Sequence, residues 1–147
     1  MRWTGWFLAA LLLGPGDMAE AVDRRVRDME RAFDDAWTKA IEQHGERVAA
    51  LQASYARALE AKRAAAIERG DLHAVVAFRD EIARFEAELA GRDAGVDGVA
   101  ARHESVVGMR NAFRKALEAA EETRDRALLS LSASYRDALE AFIRRMT

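Results

Sequence analysis

Apolar side chains recur at one spacing through the first half of the chain, and this spacing constrains the fold more than any other feature. Between Val26 and Leu59 the recurring positions lie about 3.67 residues apart, the spacing of a nearly straight helix rather than the 3.5-residue spacing of a left-handed coiled coil. The positions are Val26, Met29, Phe33, Trp37, Ile41, His44, Val48, Leu51, Tyr55 and Leu59. The pattern predicts one helix from about Asp23 to Arg69, with Gly45 tolerated inside it at a cost of about 1 kcal/mol.

Two glycine-containing segments divide the rest of the helical pattern. Gly70 can adopt the left-handed conformation that ends a helix, and Asp71 can cap the next one. We expect a second helix over about 72–90, a linker over 91–100 and a third helix over about 101–146. Because β-branched residues are sparse, a sheet is not expected. The sequence therefore predicts an all-α fold, in which a long antiparallel helical hairpin is joined by a third long helix in a coiled-coil-like arrangement.

An internal duplication with an offset of 80 residues relates the two long helices. Three ungapped segments carry it: Met29 to Ala40 matches Met109 to Ala120, Leu51 to Tyr55 matches Leu131 to Tyr135, and Ala58 to Ala61 matches Ala138 to Ala141. A linker of about nine residues can span roughly 30 Å. We expect this to let the two long helices lie side by side in the register that the duplication implies.

Composition excludes several classes of function. The chain has 147 residues and a formal charge of −2, with acidic and basic residues interleaved, so it lacks the basic excess of a nucleic-acid-binding protein. It has no cysteine, which excludes disulfides, thiolate catalysis and cysteine-based zinc sites. Abundant Ala, Glu, Arg and Leu are typical of long helices.

The first 21 residues have the order of a secretory signal peptide. Arg2 precedes an eight-residue apolar run from Trp6 to Leu13, and Ala19-Glu20-Ala21 offers the small-x-small pattern that signal peptidase recognises. The run is less than half of the length that spans a bilayer. We predict cleavage after Ala21, a single helical domain over 22–147, and a periplasmic or secreted location.

The unequal helix lengths predict self-association. A middle helix of about 19 residues covers less than half of either long helix, so large apolar side chains remain half-covered at one end. The expected interaction stripe consists of Phe33, Trp37, Ile41, Phe113 and Leu117. Its expected partner is a second copy or another helical protein, packed through a parallel or antiparallel helical seam.

No residue pattern indicates an active site or a metal site. The three histidines, His44, His73 and His103, lack the i,i+3 or i,i+4 spacing of helical metal ligands. No phosphate-binding loop or serine nucleophile motif occurs. We therefore predict no catalytic, cofactor-binding or metal-binding residues, and no enzymatic activity.

Individual polar residues are also expected to have structural roles. Arg69-Gly70-Asp71 spells an adhesion tripeptide, but helix termination and capping explain it. Tyr55 and Tyr135 lie on the apolar stripe, so we expect both to pack with the hydroxyl at the rim. Asp80 and Arg84 are expected to form a solvated i,i+4 ion pair.

One segment resembles a recurrent pattern in uncharacterised exported bacterial coiled-coil proteins. It runs from Tyr55-x-x-x-Leu59 to Gly70-Asp71-Leu72-x-Ala74, within residues 50 to 90. The turn is also similar to that of tetratricopeptide-like hairpins, although the offset of 80 residues and the missing consensus residues depart from that family. The resemblance implies a helical hairpin in an exported protein and assigns no activity to any residue.

We therefore expect a non-enzymatic exported protein that acts as a structural or protein-interaction module. One alternative is a periplasmic holdase that binds unfolded clients along the exposed apolar stripe. Another is reversible binding to a membrane surface, which is not favoured because the polar faces lack a Lys/Arg bias.

Overall fold

The computed structural model describes residues 15–92 and 99–146, and these residues form three α-helices and no strand. Helix α1 spans Pro15–Glu68, α2 spans Leu72–Leu89 and α3 spans Glu104–Met146, with a single 3-10 turn at Val99–Ala101 before α3. The predicted all-α, three-helix arrangement is confirmed. Residues 1–14 of the predicted signal peptide and most of the predicted linker lie outside the described residues.

Helix α1 begins at Pro15, eight residues before the predicted start at Asp23. A proline suits the first turn of a helix because its missing N–H has no intrahelical acceptor there, and its fixed φ is close to the helical value. The Gly-Pro-Gly segment therefore precedes a helix instead of separating two segments. At its other end α1 closes near the predicted position.

The corner between α1 and α2 has the predicted chemistry. Gly70 has φ +68°, and the Asp71 N–H donates to the carbonyl of Ala66 at 3.0 Å, which closes the last turn of α1. The Asp71 carboxylate accepts from the Ala74 N–H at 3.0 Å and caps α2. The corner makes α2 run back along α1.

The chain forms two compact units, each containing parts of α1 and α3. Unit 2, Glu42–Asp125, includes all of α2 and every buried residue of the described chain. Its core contains Tyr55, Leu59, Ala66, Ala74, Ala77, Phe78, Phe85, Ala100 and Val106.

Within unit 2, α1 and α3 run antiparallel. Tyr55 stacks on Phe113, and farther towards the N-terminus of α1 the His44 ring lies beside Arg124. Helix α3 is parallel to α2, because Phe78 lies on His103 and Phe85 lies on Phe113. The segment between them therefore returns along α2 before α3 begins.

Unit 1 contains Met1–Ile41 and Arg126–Thr147, and its described part is a pair of helical segments from α1 and α3. The Phe33 ring lies 4.8 Å from Tyr135 and 5.6 Å from Trp37. None of residues 18–41 and 126–146 is fully buried. Unit 1 is thus two helices packed through half-exposed side chains.

The pairing of the duplicated residues differs from the register that we expected. Phe33 and Phe113 do not meet; instead Phe33 packs on Tyr135, and Phe113 packs on Tyr55. Each contact therefore joins the phenylalanine of one repeat to the tyrosine of the other. The physical reason is the antiparallel course of α3, which opposes the ends of the two repeats.

Candidate functional site

A carboxylate lies in the core of unit 2. Glu81 is 0% exposed, on the face of α2 that also carries Ala74, Phe78 and Phe85. These four positions follow a 4-3-4 spacing, so they form one stripe on an α-helix. The stripe therefore places a charged group between two buried phenylalanines.

Three side chains bind this carboxylate, one from each helix. The Tyr55 hydroxyl of α1 donates to Oε1 at 2.7 Å. Arg84 of α2 donates through Nε to Oε2 at 2.9 Å and through Nη2 to Oε1 at 2.8 Å. Arg110 of α3 donates through Nε to Oε1 at 3.3 Å and through Nη2 to Oε2. We call Glu81, Tyr55, Arg84 and Arg110 the buried ion cluster.

The cluster holds Glu81 ionised. Burial by itself raises the pKa of Glu81, but hydrogen bonds from Arg84, Arg110 and Tyr55 outweigh burial and lower it from 4.5 to about 2. Burial and the hydrogen bond to the carboxylate raise the pKa of Tyr55. The hydrogen bond to Glu81 likewise raises the pKa of Arg84. The carboxylate is thus a fixed negative charge at neutral pH.

The lowered pKa of Glu81 predicts an acid-sensitive stability. Its folded-state value lies below its ordinary value, so its contribution is present above about pH 4.5 and is lost as the pH falls towards about 2. We expect the free energy of unfolding to decrease over this window in the wild type. The Glu81→Gln variant should lack this part of the decrease. Chemical denaturation at a series of pH values measures the difference, and parallel pH profiles for the two proteins would contradict the prediction.

An aromatic layer holds the Tyr55 hydroxyl on Glu81. The Tyr55 ring stacks on Phe113 at 4.5 Å with an interplanar angle of 10° and meets the edge of Phe85 at 5.0 Å. The expectation that the Tyr55 hydroxyl lies at the rim is wrong, because this residue is 6% exposed and its hydroxyl bonds within the core. Tyr135, its counterpart in the repeat, is half-buried against Phe33.

The expected Asp80–Arg84 ion pair is also replaced by other partners. Asp80 accepts from Arg79, and Arg84 binds Glu81 and Glu88. Sequence reasoning missed Glu81 because it treated every carboxylate as part of a solvated face. The available signal was position: Glu81 lies three residues after Phe78 and four before Phe85 on the apolar stripe of α2.

The predicted interaction stripe is divided between the two units. Phe113 and Leu117 are half-buried in unit 2, where Phe113 packs against the core. Phe33 is half-buried in unit 1, where Trp37 is 37% exposed and Ile41 is 43% exposed. Only the part of the stripe in unit 1 therefore presents large exposed side chains.

Unit 1 carries most of the exposed apolar surface of the described chain. Of nine exposed large hydrophobic residues, six lie in unit 1, although unit 2 contains more of the described residues. The six are Met18, Trp37, Ile41, Leu129, Ile143 and Met146. Soluble monomers seldom leave such groups uncovered when they are contiguous.

Four of these side chains lie on one face of unit 1, which we call the unit 1 face: Trp37, Ile41, Leu129 and Ile143. At about 100° per residue, Trp37 and Ile41 lie about 40° and 80° around α1 from Phe33. Ile143 and Leu129 lie about 80° and 120° around α3 from Tyr135. Because Phe33 and Tyr135 face each other and the helices are antiparallel, equal rotations from this contact lead to the same side of the pair.

A shallow groove of about 300 Å³ lies between α1 and α2 in unit 2. Its walls are Ala56, Arg57, Leu59, Glu60, Ile82, Phe85 and Glu86. Its floor is mainly apolar, and its charged side chains lie on both helices. The buried ion cluster is on the other side of Phe85, towards α3.

The histidines do not form a larger ligand group. The rings of His73 and His103 lie 5.7 Å apart, and Nε2 of His44 lies 3.3 Å from Nη1 of Arg124. Within residues 15–92 and 99–146, no three His, Cys, Asp or Glu side chains are arranged to hold a metal ion. No helix in this part of the chain is long and apolar enough to cross a membrane.

Comparisons of the chain with protein-family models, with curated proteins and with solved structures found no match. Function must therefore be inferred from the geometry of the two units.

Proposed function

We propose that the protein is a non-enzymatic, exported helical module that binds another helical protein surface through the unit 1 face. The observation that carries this proposal is the concentration of exposed large apolar side chains in unit 1, where no side chain of residues 18–41 and 126–146 is fully buried. In this proposal unit 2 is the scaffold, and unit 1 presents the binding surface.

The buried ion cluster supports a scaffold role for unit 2. Glu81 accepts from three helices at once, so any shift of one helix along another separates a buried charge from a partner. Both carboxylate oxygens are already occupied, and the pKa of about 2 makes Glu81 a poor general base at neutral pH. These features favour holding a structure over catalysing a reaction.

The charges near the unit 1 face favour a mixed-charge helical partner. Glu30 and Asp34 lie on the same side of α1 as Ile41, and Arg136 lies on the same side of α3 as Ile143. A surface for nucleic acid or anionic lipid needs an excess of Lys and Arg. An apolar centre flanked by both signs of charge is instead typical of helix–helix interfaces.

Export remains part of the proposal because it is supported by the N-terminal apolar run and the Ala19-Glu20-Ala21 pattern. Cleavage after Ala21 would leave the unit 1 face complete, since Trp37, Ile41, Leu129 and Ile143 all lie beyond that point.

Site-specific photo-cross-linking in bacterial cells that express the chain tests this function. A photoreactive amino acid at Ile41 or Leu129 should give discrete protein adducts, because both positions lie on the proposed face. The same amino acid at Arg79, whose side chain is 64% exposed in unit 2, is the matched control and should give none. Absence of adducts at both unit 1 positions would contradict the interaction function.

A further inference from the structure

We propose that the partner of the unit 1 face is the same face of a second copy of this chain, giving a four-helix bundle with a two-fold axis parallel to the helices. This inference rests on the proposed function and names its partner. Two-fold dimers use one self-complementary patch twice, so each exposed group must find its partner on the same patch. The register of unit 1 meets this condition for both its apolar and its charged groups.

The contact between Phe33 and Tyr135 sets the level of each exposed residue along the pair. Leu129 lies six residues before Tyr135. Because α3 is antiparallel to α1 and both rise equally per residue, Leu129 is level with a point six residues after Phe33, between Trp37 and Ile41.

A two-fold axis parallel to the helices keeps these levels and places α1 of one chain against α3 of the other. Leu129 of the partner subunit then enters between Trp37 and Ile41, which are one helical turn apart. The contact occurs twice in the dimer. It covers residues that are 37%, 43% and 71% exposed in the single chain.

The charged side chains follow the same register. Arg136 is one residue beyond Tyr135, so it is level with a point between Glu30 and Asp34 on α1. In the proposed dimer, Arg136 of the partner subunit lies between these two carboxylates. Within one chain, the nearest carboxylates to Arg136 belong to its own helix at 3.5 and 4.0 Å, and its side chain is 69% exposed.

This agreement favours a second copy over an unrelated helix. A different helical protein would have to match an apolar residue and a basic residue spaced seven apart, as Leu129 and Arg136 are. The chain supplies that spacing itself, on the side of α3 that the two-fold axis brings to α1. Four helices also let each one contact two neighbours, as in known bundles.

Sedimentation and light scattering of the full chain test the dimer. The wild type should have twice the mass of one chain. Leu129→Glu should weaken association at least about a hundredfold, because it places a charge between two apolar side chains. The matched control Ser130→Glu changes the neighbouring residue, which points away from the face, and should leave the dimer intact. Circular dichroism of each variant checks that its helices remain folded.

A charge exchange tests the register. Arg136→Glu in one chain, and Glu30→Arg with Asp34→Arg in another, should each weaken self-association about tenfold because like charges then face each other. An equimolar mixture of these two variants should recover the wild-type affinity, since every contact again joins opposite charges. Lys39→Glu, on the opposite side of α1, is the control and should change nothing.

The outcomes separate this inference from the proposed function. Recovery in the mixture supports the dimer and its register, whereas a monomeric wild type or a mixture no tighter than its components overturns them. If the wild type is monomeric and Ile41 still cross-links to another protein in cells, the interaction function stands with a different partner. If neither association nor adducts occur, both proposals fail.

Discussion

Replacing Glu81 with alanine is expected to lower the free energy of unfolding by about 3 kcal/mol or more, the cost of removing one partner from a buried ion pair. The substitution leaves the Tyr55 hydroxyl without an acceptor in the core and separates Arg84 and Arg110 from their shared counter-ion. The arginine side chains are 24% and 31% exposed, so water can solvate them in part and limit the loss.

Chemical denaturation followed by far-UV circular dichroism measures this effect. Glu86→Ala removes the same charge from an exposed position on the same helix, and it should cost less than about 0.5 kcal/mol. Glu81→Gln keeps the size of the side chain and one acceptor oxygen, so we expect an intermediate loss. Equal stabilities for Glu81→Ala and Glu86→Ala would show that the cluster does not hold the three helices together.

Replacing Leu59 with alanine is expected to cost about 3 kcal/mol, within the range of roughly 2–5 kcal/mol for removing a buried leucine side chain. Leu59 is 0% exposed and lies between the aromatic layer and the corner of unit 2. Its loss leaves a space that the rigid cluster beside it cannot fill by collapse.

The duplication supplies the matched control for this substitution. Leu139 occupies the same position in the second repeat, with the same Ala-Leu-Glu-Ala neighbours, but it is only half-buried in unit 1. Leu139→Ala should therefore cost about 1 kcal/mol when measured at concentrations where the chain is monomeric. A cost for Leu139→Ala equal to that for Leu59→Ala would contradict the assignment of the fully buried core to unit 2.

The helices and the corner between α1 and α2 were predictable from the sequence because their causes are local. The apolar spacing defines α1 and α3, and Gly70 and Asp71 end one helix and cap the next through bonds that reach no more than five residues. The early start of α1 at Pro15 was missed because Pro15 was interpreted as a break, although proline is equally suited to a first turn.

The candidate surface was predictable only in part. Trp37 and Ile41 were recognised from their place on the stripe, and both are exposed. Phe113 has the same local pattern as Phe33, yet it packs in the core because α2 supplies Phe85 against it. Leu129 and Ile143 were missed because they lie beside the apolar stripe of α3, where exposure depends on which helices are adjacent.

The sequence by itself determined that this protein is three helices with a capped corner, since helix period, turn chemistry and capping act over a few residues. Only the tertiary structure decided that Glu81 is buried, because its partners Tyr55 and Arg110 are 26 and 29 residues away along the chain. It also decided that α3 runs antiparallel to α1, so that each repeat packs against the other's opposite end. Burial and direction depend on contacts between distant segments, and no local pattern specifies which of those segments meet.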